Sequence, residues 1–164
     1  MKIDEETHKQ LRSGGVNEFP IANLIRNDDI QGFIDVISRS ADINSKIPSS
    51  IYEKCSYINK ELSYFEYAAF YGAVQIFKYF ISNKVSPSSN LVFFAVAGGN
   101  LEIIHLCEQI ECDFTNAINA ALLFHQKDVF KYLINQDFDF LYSSIVYCIE
   151  GYNFEHFYQL FDRN

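Results

Sequence analysis

The sequence has few basic residues, no tryptophan and no long hydrophobic run. Its 164 residues include 13 Lys and Arg against 21 Asp and Glu, which gives a formal net charge of −8. A protein that binds nucleic acid needs basic side chains to neutralise phosphates, and docking on an anionic membrane surface needs the same sign of charge. The composition therefore argues against both kinds of partner.

Segments that would direct the chain into or across a membrane are also lacking. No stretch approaches the roughly 20 apolar residues of a membrane-spanning helix, and residues 1–6 are charged where a secretory signal needs an apolar core. We therefore expect a cytoplasmic protein whose cysteines are reduced thiols, namely Cys55, Cys107, Cys112 and Cys148.

Residue patterns of common catalytic and metal sites are missing as well. There is no glycine-rich phosphate loop and no pair of carboxylates at a catalytic spacing. Cys107 and Cys112 lie near His105, but a structural zinc site needs two such clusters with tight spacing. We predict that the chain is not an enzyme, that it uses no metal or cofactor, and that these cysteines are small buried thiols.

What the sequence does contain is apolar and aromatic side chains arranged in a repeat. Hydrophobic residues make up 49% of the chain, and 16 Phe and 11 Tyr supply more ring area than one small core usually needs. Residues 1–17 predict a polar leader, either mobile or a loose helix. Residues 18–62 predict an N-terminal helical cap of two short helices, interrupted near residues 26–29, followed by a variable connector. Residues 63–164 predict three to four helix pairs.

The repeat is visible as columns that keep one step along the chain. A small residue recurs at steps of 27, 26 and 27 residues, at Ala68, Ala95, Ala121 and Cys148. A turn position recurs at the same steps, at Gly72, Gly99, His125 and Tyr152. Small residues let neighbouring helices approach closely, and glycine lets the chain leave a helix at low cost. A single helix pair cannot bury its apolar face alone, so the pairs should stack.

Two segments, residues 63–81 and 90–107, resemble the ankyrin repeat. The positions that carry the resemblance are Phe65, Ala68, Ala69, Gly72, Ile76 and Phe80 in the first segment and Val92, Ala95, Gly99, Leu101, Glu102, Ile103, Ile104 and Leu106 in the second. The resemblance implies an all-α, ankyrin-like helical-repeat solenoid that acts as a non-catalytic scaffold for protein–protein interaction.

The sequence departs from the family pattern in its period and in the start of each repeat. The ankyrin period is about 33 residues, whereas this one is 26 to 27 residues. About six residues are missing from the loop between helix pairs, so the family's β-turn fingers should be shortened or absent. The threonine-proline start is also lost. This short form is similar to an ankyrin-like subgroup expanded in parasitic protists, which residues 27–30 and 47–52 also resemble.

By the same resemblance, the two positions before each turn glycine and one position a turn earlier should be exposed on the first helices and bind a partner protein. Several of them are aromatic, and an exposed aromatic patch often marks an interaction surface. Tyr71→Ala or Phe93→Ala should then weaken partner binding without unfolding the chain. The alternative that Phe70, Leu123 and Phe124 merely cover the shortened loops stays open at this point. The predicted binding residues are Glu66, Phe70, Tyr71, Phe93, Asn119 and Phe124.

The second functional possibility is a structural component packed permanently in a larger assembly. The aromatic segment at residues 154–161 has little chain after it to cover it, so self-association through this repeat is a further prediction. The histidines fit the repeat without any catalytic role. His105 occupies an outward position, His125 a turn, and His156 a partly buried column.

Overall fold

The computed structural model describes residues 4–15, 17–40, 42–136 and 143–161. These residues divide into two compact units, Met1–Val85 and Ser86–Asn164. Unit 1 contains α1 (Glu5–Gly14), α2 (Pro20–Arg26), α3 (Ile30–Ser40), β1 (Lys46–Ile47), β2 (Leu62–Ser63), α4 (Tyr64–Tyr71) and α5 (Val74–Ser82). Unit 2 contains α6 (Leu91–Gly98), α7 (Leu101–Gln109), α8 (Ala117–Leu123), α9 (Lys127–Asn135), α10 (Ser143–Glu150) and α11 (Phe154–Phe161).

Unit 1 is built from the helix α1, two helix pairs and a short strand pair. Helices α2 and α3 pack on each other, α2 packs on α4, and α3 packs on α5. Helices α2 and α3 lie on either side of the interruption predicted near residues 26–29, and the segment predicted as a polar leader contains α1. The strands β1 and β2 are antiparallel, with Ile47 opposite Leu62, and they add a small sheet to a fold that the sequence predicted as purely helical.

Unit 2 consists of three helix pairs whose first helices stack in the order α6, α8, α10. The small-residue column lies inside this stack, because Ala95, Ala121 and Cys148 are all buried. Residues 110–116, which connect α7 to α8, contain no strand. The ankyrin-like helical-repeat fold is thus confirmed, and the connection of residues 110–116 forms no strand of a β-turn finger.

The turn column keeps one backbone conformation even where glycine is replaced. Gly72, Gly99, His125 and Tyr152 have φ of 70°, 75°, 56° and 53°. In three of the four turns, the residue after the turn position donates its N–H to the carbonyl of a residue in the small-residue column. Ala73, for example, donates to the Ala68 carbonyl at 3.0 Å. Such a bond across a left-handed residue closes a helix in a Schellman motif. Each first helix therefore ends at the position that the repeat register predicts.

Side chains beside these turns bind the turn of a neighbouring pair. Within unit 2, Gln126 Nε2 donates to the Ala97 carbonyl at 2.8 Å, and Asn153 Nδ2 donates to the Leu122 carbonyl at 3.0 Å. In unit 1, the carboxylate of Asp28 accepts the amides of the first turn of α5 at 2.9 and 3.0 Å. Helix α5 has no N-cap side chain of its own, so its cap comes from the turn between α2 and α3.

Candidate protein-binding surface

The predicted binding positions in unit 1 are less exposed than the sequence indicated. Glu66 is 8% exposed and forms a capping box with Ser63 at the start of α4. Phe70 and Tyr71 are half-buried, with ring centroids 5.2 Å apart. Glu66 therefore holds its own helix, and only the two aromatic residues present part of their surface to solvent.

In unit 2 the predicted positions divide in the same way. Asn119 is 3% exposed, because Ser144 of α10 covers it and donates to its Oδ1 at 2.8 Å. Phe93 and Phe124 are half-buried and meet edge to face, with ring centroids 6.0 Å apart. The exposure predicted for Asn119 is wrong, since the next first helix of the stack lies over it. The structure brings together these two phenylalanines, of which Phe93 lies in the first turn of α6 and Phe124 just after the end of α8.

A buried polar cluster in unit 1 was not predicted. The Arg26 guanidinium donates to the Glu53 carboxylate, to the Tyr67 hydroxyl from Nε at 2.9 Å, and to the Gly15 carbonyl from Nη1 at 3.0 Å. The hydroxyls of Tyr67 and Tyr71 each donate to Glu53 at 2.9 Å. The Arg26 guanidinium carbon also lies 4.4 Å from the centroid of the Tyr71 ring. The cluster thus joins α1, α2, α4 and the connector.

The electrostatics of this cluster favour a fixed, neutral pair of tyrosines. Burial raises the pKa of Tyr67 to about 12 and raises that of Tyr71 as well. Both hydroxyls therefore stay protonated near neutral pH and continue to donate to Glu53. A tyrosine that stays protonated is a poor base. The two hydroxyls therefore serve as hydrogen-bond donors that tie α4 to Glu53. Tyr71 is one of the residues predicted to contact a partner, but its hydroxyl is hydrogen-bonded within this cluster.

The histidines lie where the repeat register places them. His105 is exposed on α7 and donates to Glu108 at 2.9 Å, while Tyr132 of α9 donates to the other oxygen of that carboxylate at 2.7 Å. His125 occupies a turn and donates to the Gly151 carbonyl at 2.6 Å. His156 is buried, and burial lowers its pKa. Each histidine of unit 2 thus has a structural partner.

Helix α10 presents an exposed apolar face. Val146 and Ile149 are 48% and 54% exposed, whereas the residues one and two repeats before Ile149, Leu122 and Val96, are fully buried. Those earlier residues are buried because each first helix is covered by the next one in the stack. The sequence prediction placed the uncovered surface on residues 154–161. The column of Val96 and Leu122 continues to Ile149, and within the described residues no later first helix follows α10 in the repeat. The repeat columns could therefore have predicted this exposed face as well.

The part of the chain that the structure describes holds neither a metal-binding cluster nor a membrane-crossing helix. No group of three or more His, Cys, Asp or Glu side chains there is arranged to hold a metal ion. No helix in the same residues has the length and apolar character needed to cross a membrane. The four cysteines are free thiols, and Cys107 and Cys148 are buried.

Comparison with known proteins agrees with the repeat. Residues 83–160 match a family described as a domain of unknown function (DUF3447), which is associated with ankyrin repeats. Over 145 residues the chain is 25% identical to a protein of Acanthamoeba polyphaga mimivirus named "Putative ankyrin repeat protein R784". The match covers 79% of this chain and 34% of that protein, so the chain spans about a third of its relative's length. These similarities agree with the ankyrin-like helical-repeat fold of the described helix pairs.

Proposed function

We propose that the chain is a non-catalytic module that binds another protein. The observation that carries this proposal is the ankyrin-like repeat itself, seen in the helix pairs, in the shared turn conformation and in the similarity to an ankyrin repeat protein. Stacked repeats present a continuous surface that suits recognition of a folded partner. The proposal places the chain in the cytoplasm, where thiols are ordinarily reduced, and includes no nucleic acid, membrane or cofactor.

We place the contact surface in unit 2 on the exposed edges of Phe93 and Phe124. Both residues belong to predicted binding columns, with Phe93 in the first turn of α6 and Phe124 just after the end of α8, and their rings pack edge to face. Because each ring is held by its neighbour, little side-chain entropy is lost when a partner covers it. Large, ordered aromatic groups of this kind are common at the energetic centre of interfaces.

Phe93→Ala and Phe124→Ala should each weaken partner binding at least about tenfold, which corresponds to about 1.4 kcal/mol. The partner would first be captured from the native cell with the unchanged chain and identified, and its Kd would then be measured with purified proteins. Circular dichroism at the assay temperature would confirm that each variant is folded.

The matched control is Tyr158→Ala, which truncates an aromatic side chain that is 68% exposed on α11. This variant should bind the partner as the unchanged chain does. Unchanged binding in both phenylalanine variants, or an equal loss in all three variants, would show that the contact surface lies elsewhere. Tyr71→Ala is a poorer test than the sequence indicated, because it also removes a hydroxyl from the Arg26–Glu53 cluster.

A second candidate function, a component of an assembly, is favoured by the exposed face of α10. Ile149 continues the column of Leu122 and Val96, which helix stacking buries in the preceding repeats, and Val146 lies one helical turn before it. Two copies of the chain could cover this face by packing one α10 on the other. The buried apolar area would supply the stabilising free energy.

On this second candidate, Ile149→Glu should abolish self-association. Sedimentation is measured at a low and a high protein concentration. The unchanged chain should sediment faster at the high concentration, while the variant should sediment as a monomer at both concentrations. Leu101→Glu, which places the same charge at an exposed apolar position on α7, should behave like the unchanged chain. A monomer at both concentrations for the unchanged chain would exclude self-association through this face.

A further inference from the structure

Helix α7 ends in a turn that brings two cysteines together. Cys107 is buried in the last part of the helix, and Cys112 follows Glu111, a left-handed residue with φ of 55°. The Cys112 amide donates to the Cys107 carbonyl at 3.0 Å. This is the bond that links the two ends of a Schellman motif, and the side chains at these positions commonly touch.

The backbone bond fixes how far apart the two cysteines can be. Covalent bond lengths add about 4 Å to the hydrogen bond, and bond angles shorten that path, so the two Cα atoms lie within about 7 Å. Disulfides in proteins span Cα–Cα distances of about 4.4–6.8 Å. The two thiols also interact, since Cys112 raises the pKa of Cys107 and Cys107 lowers the pKa of Cys112. The two sulfurs can therefore be joined with little movement of the backbone.

The preceding repeat uses the same turn with different side chains. There, Val85 donates to the Phe80 carbonyl at 3.1 Å across the left-handed Lys84. Hydrophobic residues at both ends are what the motif ordinarily uses. Structural stability alone therefore does not require two thiols at the corresponding positions of α7.

We propose that Cys107 and Cys112 form a site of reversible oxidation, at which a peroxide converts the two thiols into an intramolecular disulfide. Cys112 is half-buried and Cys107 is fully buried, so the peroxide reaches Cys112 first. The proposal goes beyond protein binding and does not depend on which partner is bound.

The reaction proceeds in two steps whose atoms and electrons balance. The Cys112 thiolate attacks one oxygen of hydrogen peroxide, the O–O bond breaks, and a sulfenic acid forms with release of water after protonation. The sulfur of Cys107 then attacks the sulfur of Cys112, the S–O bond breaks, and a second water leaves. Two thiols and one peroxide thus give one disulfide and two waters. A dithiol reverses the reaction by thiol–disulfide exchange.

The pKa shifts of the two thiols agree with these steps, in which Cys112 attacks the peroxide and Cys107 then closes the disulfide. The hydrogen bond from Cys107 lowers the pKa of Cys112, which favours the reactive thiolate. That bond and burial raise the pKa of Cys107, so this sulfur is kept as a thiol until the sulfenic acid forms. Because Cys112 lies in the connection between α7 and α8, the disulfide would also fix that connection.

The test uses the full chain carrying Cys55→Ser and Cys148→Ser, so that only the pair remains. One equivalent of hydrogen peroxide should remove both thiols together and lower the intact mass by about 2 Da, and dithiothreitol should restore both. Cleavage after Glu108 and Glu111 separates the two cysteines, so their fragments should stay joined until the reductant is added. Circular dichroism before and after oxidation should show the same helix content.

Two further variants in the same background separate the roles. With Cys112→Ser, Cys107 should keep its thiol under one equivalent of peroxide. With Cys107→Ala, Cys112 should be trapped as a sulfenic acid that a dimedone probe labels. The proposal would be overturned if both thiols of the pair remained free in excess peroxide. It would equally be overturned if Cys112 were converted to a sulfinic acid while Cys107 stayed reduced.

Discussion

Replacing Arg26 with alanine should lower the free energy of unfolding by about 3–5 kcal/mol. The side chains of Arg26 and Glu53 are 15% and 3% exposed, so the substitution leaves a carboxylate buried without its cation. The hydroxyls of Tyr67 and Tyr71 still donate to Glu53, but neutral donors offset only part of the lost charge pairing. Urea unfolding followed by far-UV circular dichroism measures the change.

Arg39→Ala is the matched control, because Arg39 is an exposed arginine in the last turn of α3. It should change the free energy of unfolding by no more than about 0.5 kcal/mol. The double variant Arg26→Met with Glu53→Gln should lose less than the sum of the two single variants, since neither charge is then left unpaired. If Arg26→Ala were as stable as Arg39→Ala, the buried Arg26 would contribute no more to the free energy of unfolding than an exposed arginine does.

The place of a residue in the repeat predicted the backbone conformation of the turns better than its residue type did. Glycine at two turns indicated a left-handed conformation, but His125 and Tyr152 would not do so by themselves. Their φ angles of 56° and 53° follow from their place in the column. A left-handed residue with a side chain costs about 1–2 kcal/mol, and the closing hydrogen bonds and the packed helix pairs offset that cost. Helix ends were therefore predictable wherever the column could be followed.

The exposure of the first helices could not be predicted to the same degree. Each first helix of unit 2 has seven or eight residues and packs against neighbouring first helices. Helix α8 is covered from both sides, by α6 and by α10, which leaves a narrow exposed strip, and the predicted columns extended beyond it. Asn119 shows the reason, because its cover is Ser144, a residue 25 positions later. Periodicity identifies which residues share a face but does not give the width of the face that stays uncovered.

Interactions outside the repeat gave no signal in the sequence. Arg26 and Glu53 are 27 residues apart, and Glu53 lies in the connector, where no column could be assigned. The cap that Asp28 gives to α5 spans 47 and 48 residues and links two turns through a side chain. Such contacts depend on how the helix pairs pack, so they become visible only when the whole of unit 1 is folded.

Valine in place of Gly99 should destabilise the protein by about 2–4 kcal/mol, through two separate effects. First, φ at this position is 75°, a region that β-branched residues adopt only at high cost. Second, a Cβ atom would lie 2.6 Å from the Cδ of Gln126, so the amide of that side chain would have to move. Moving it breaks the bond to the Ala97 carbonyl, which links the first two turns of unit 2. The midpoint of urea unfolding measures the total effect.

The two effects can be separated with Gln126→Ala, which removes the amide and leaves the backbone turn intact. If the contact matters, Gly99→Val should cost less in the Gln126→Ala background than in the unchanged chain. The residual cost in that background is the cost of the left-handed backbone alone. Gly98→Ala is the control one residue earlier, inside α6, where alanine favours the helix and no loss of stability is expected. A Gly99→Val variant with an unchanged midpoint would mean that this turn tolerates a side chain and that the glycine column is not required for the fold.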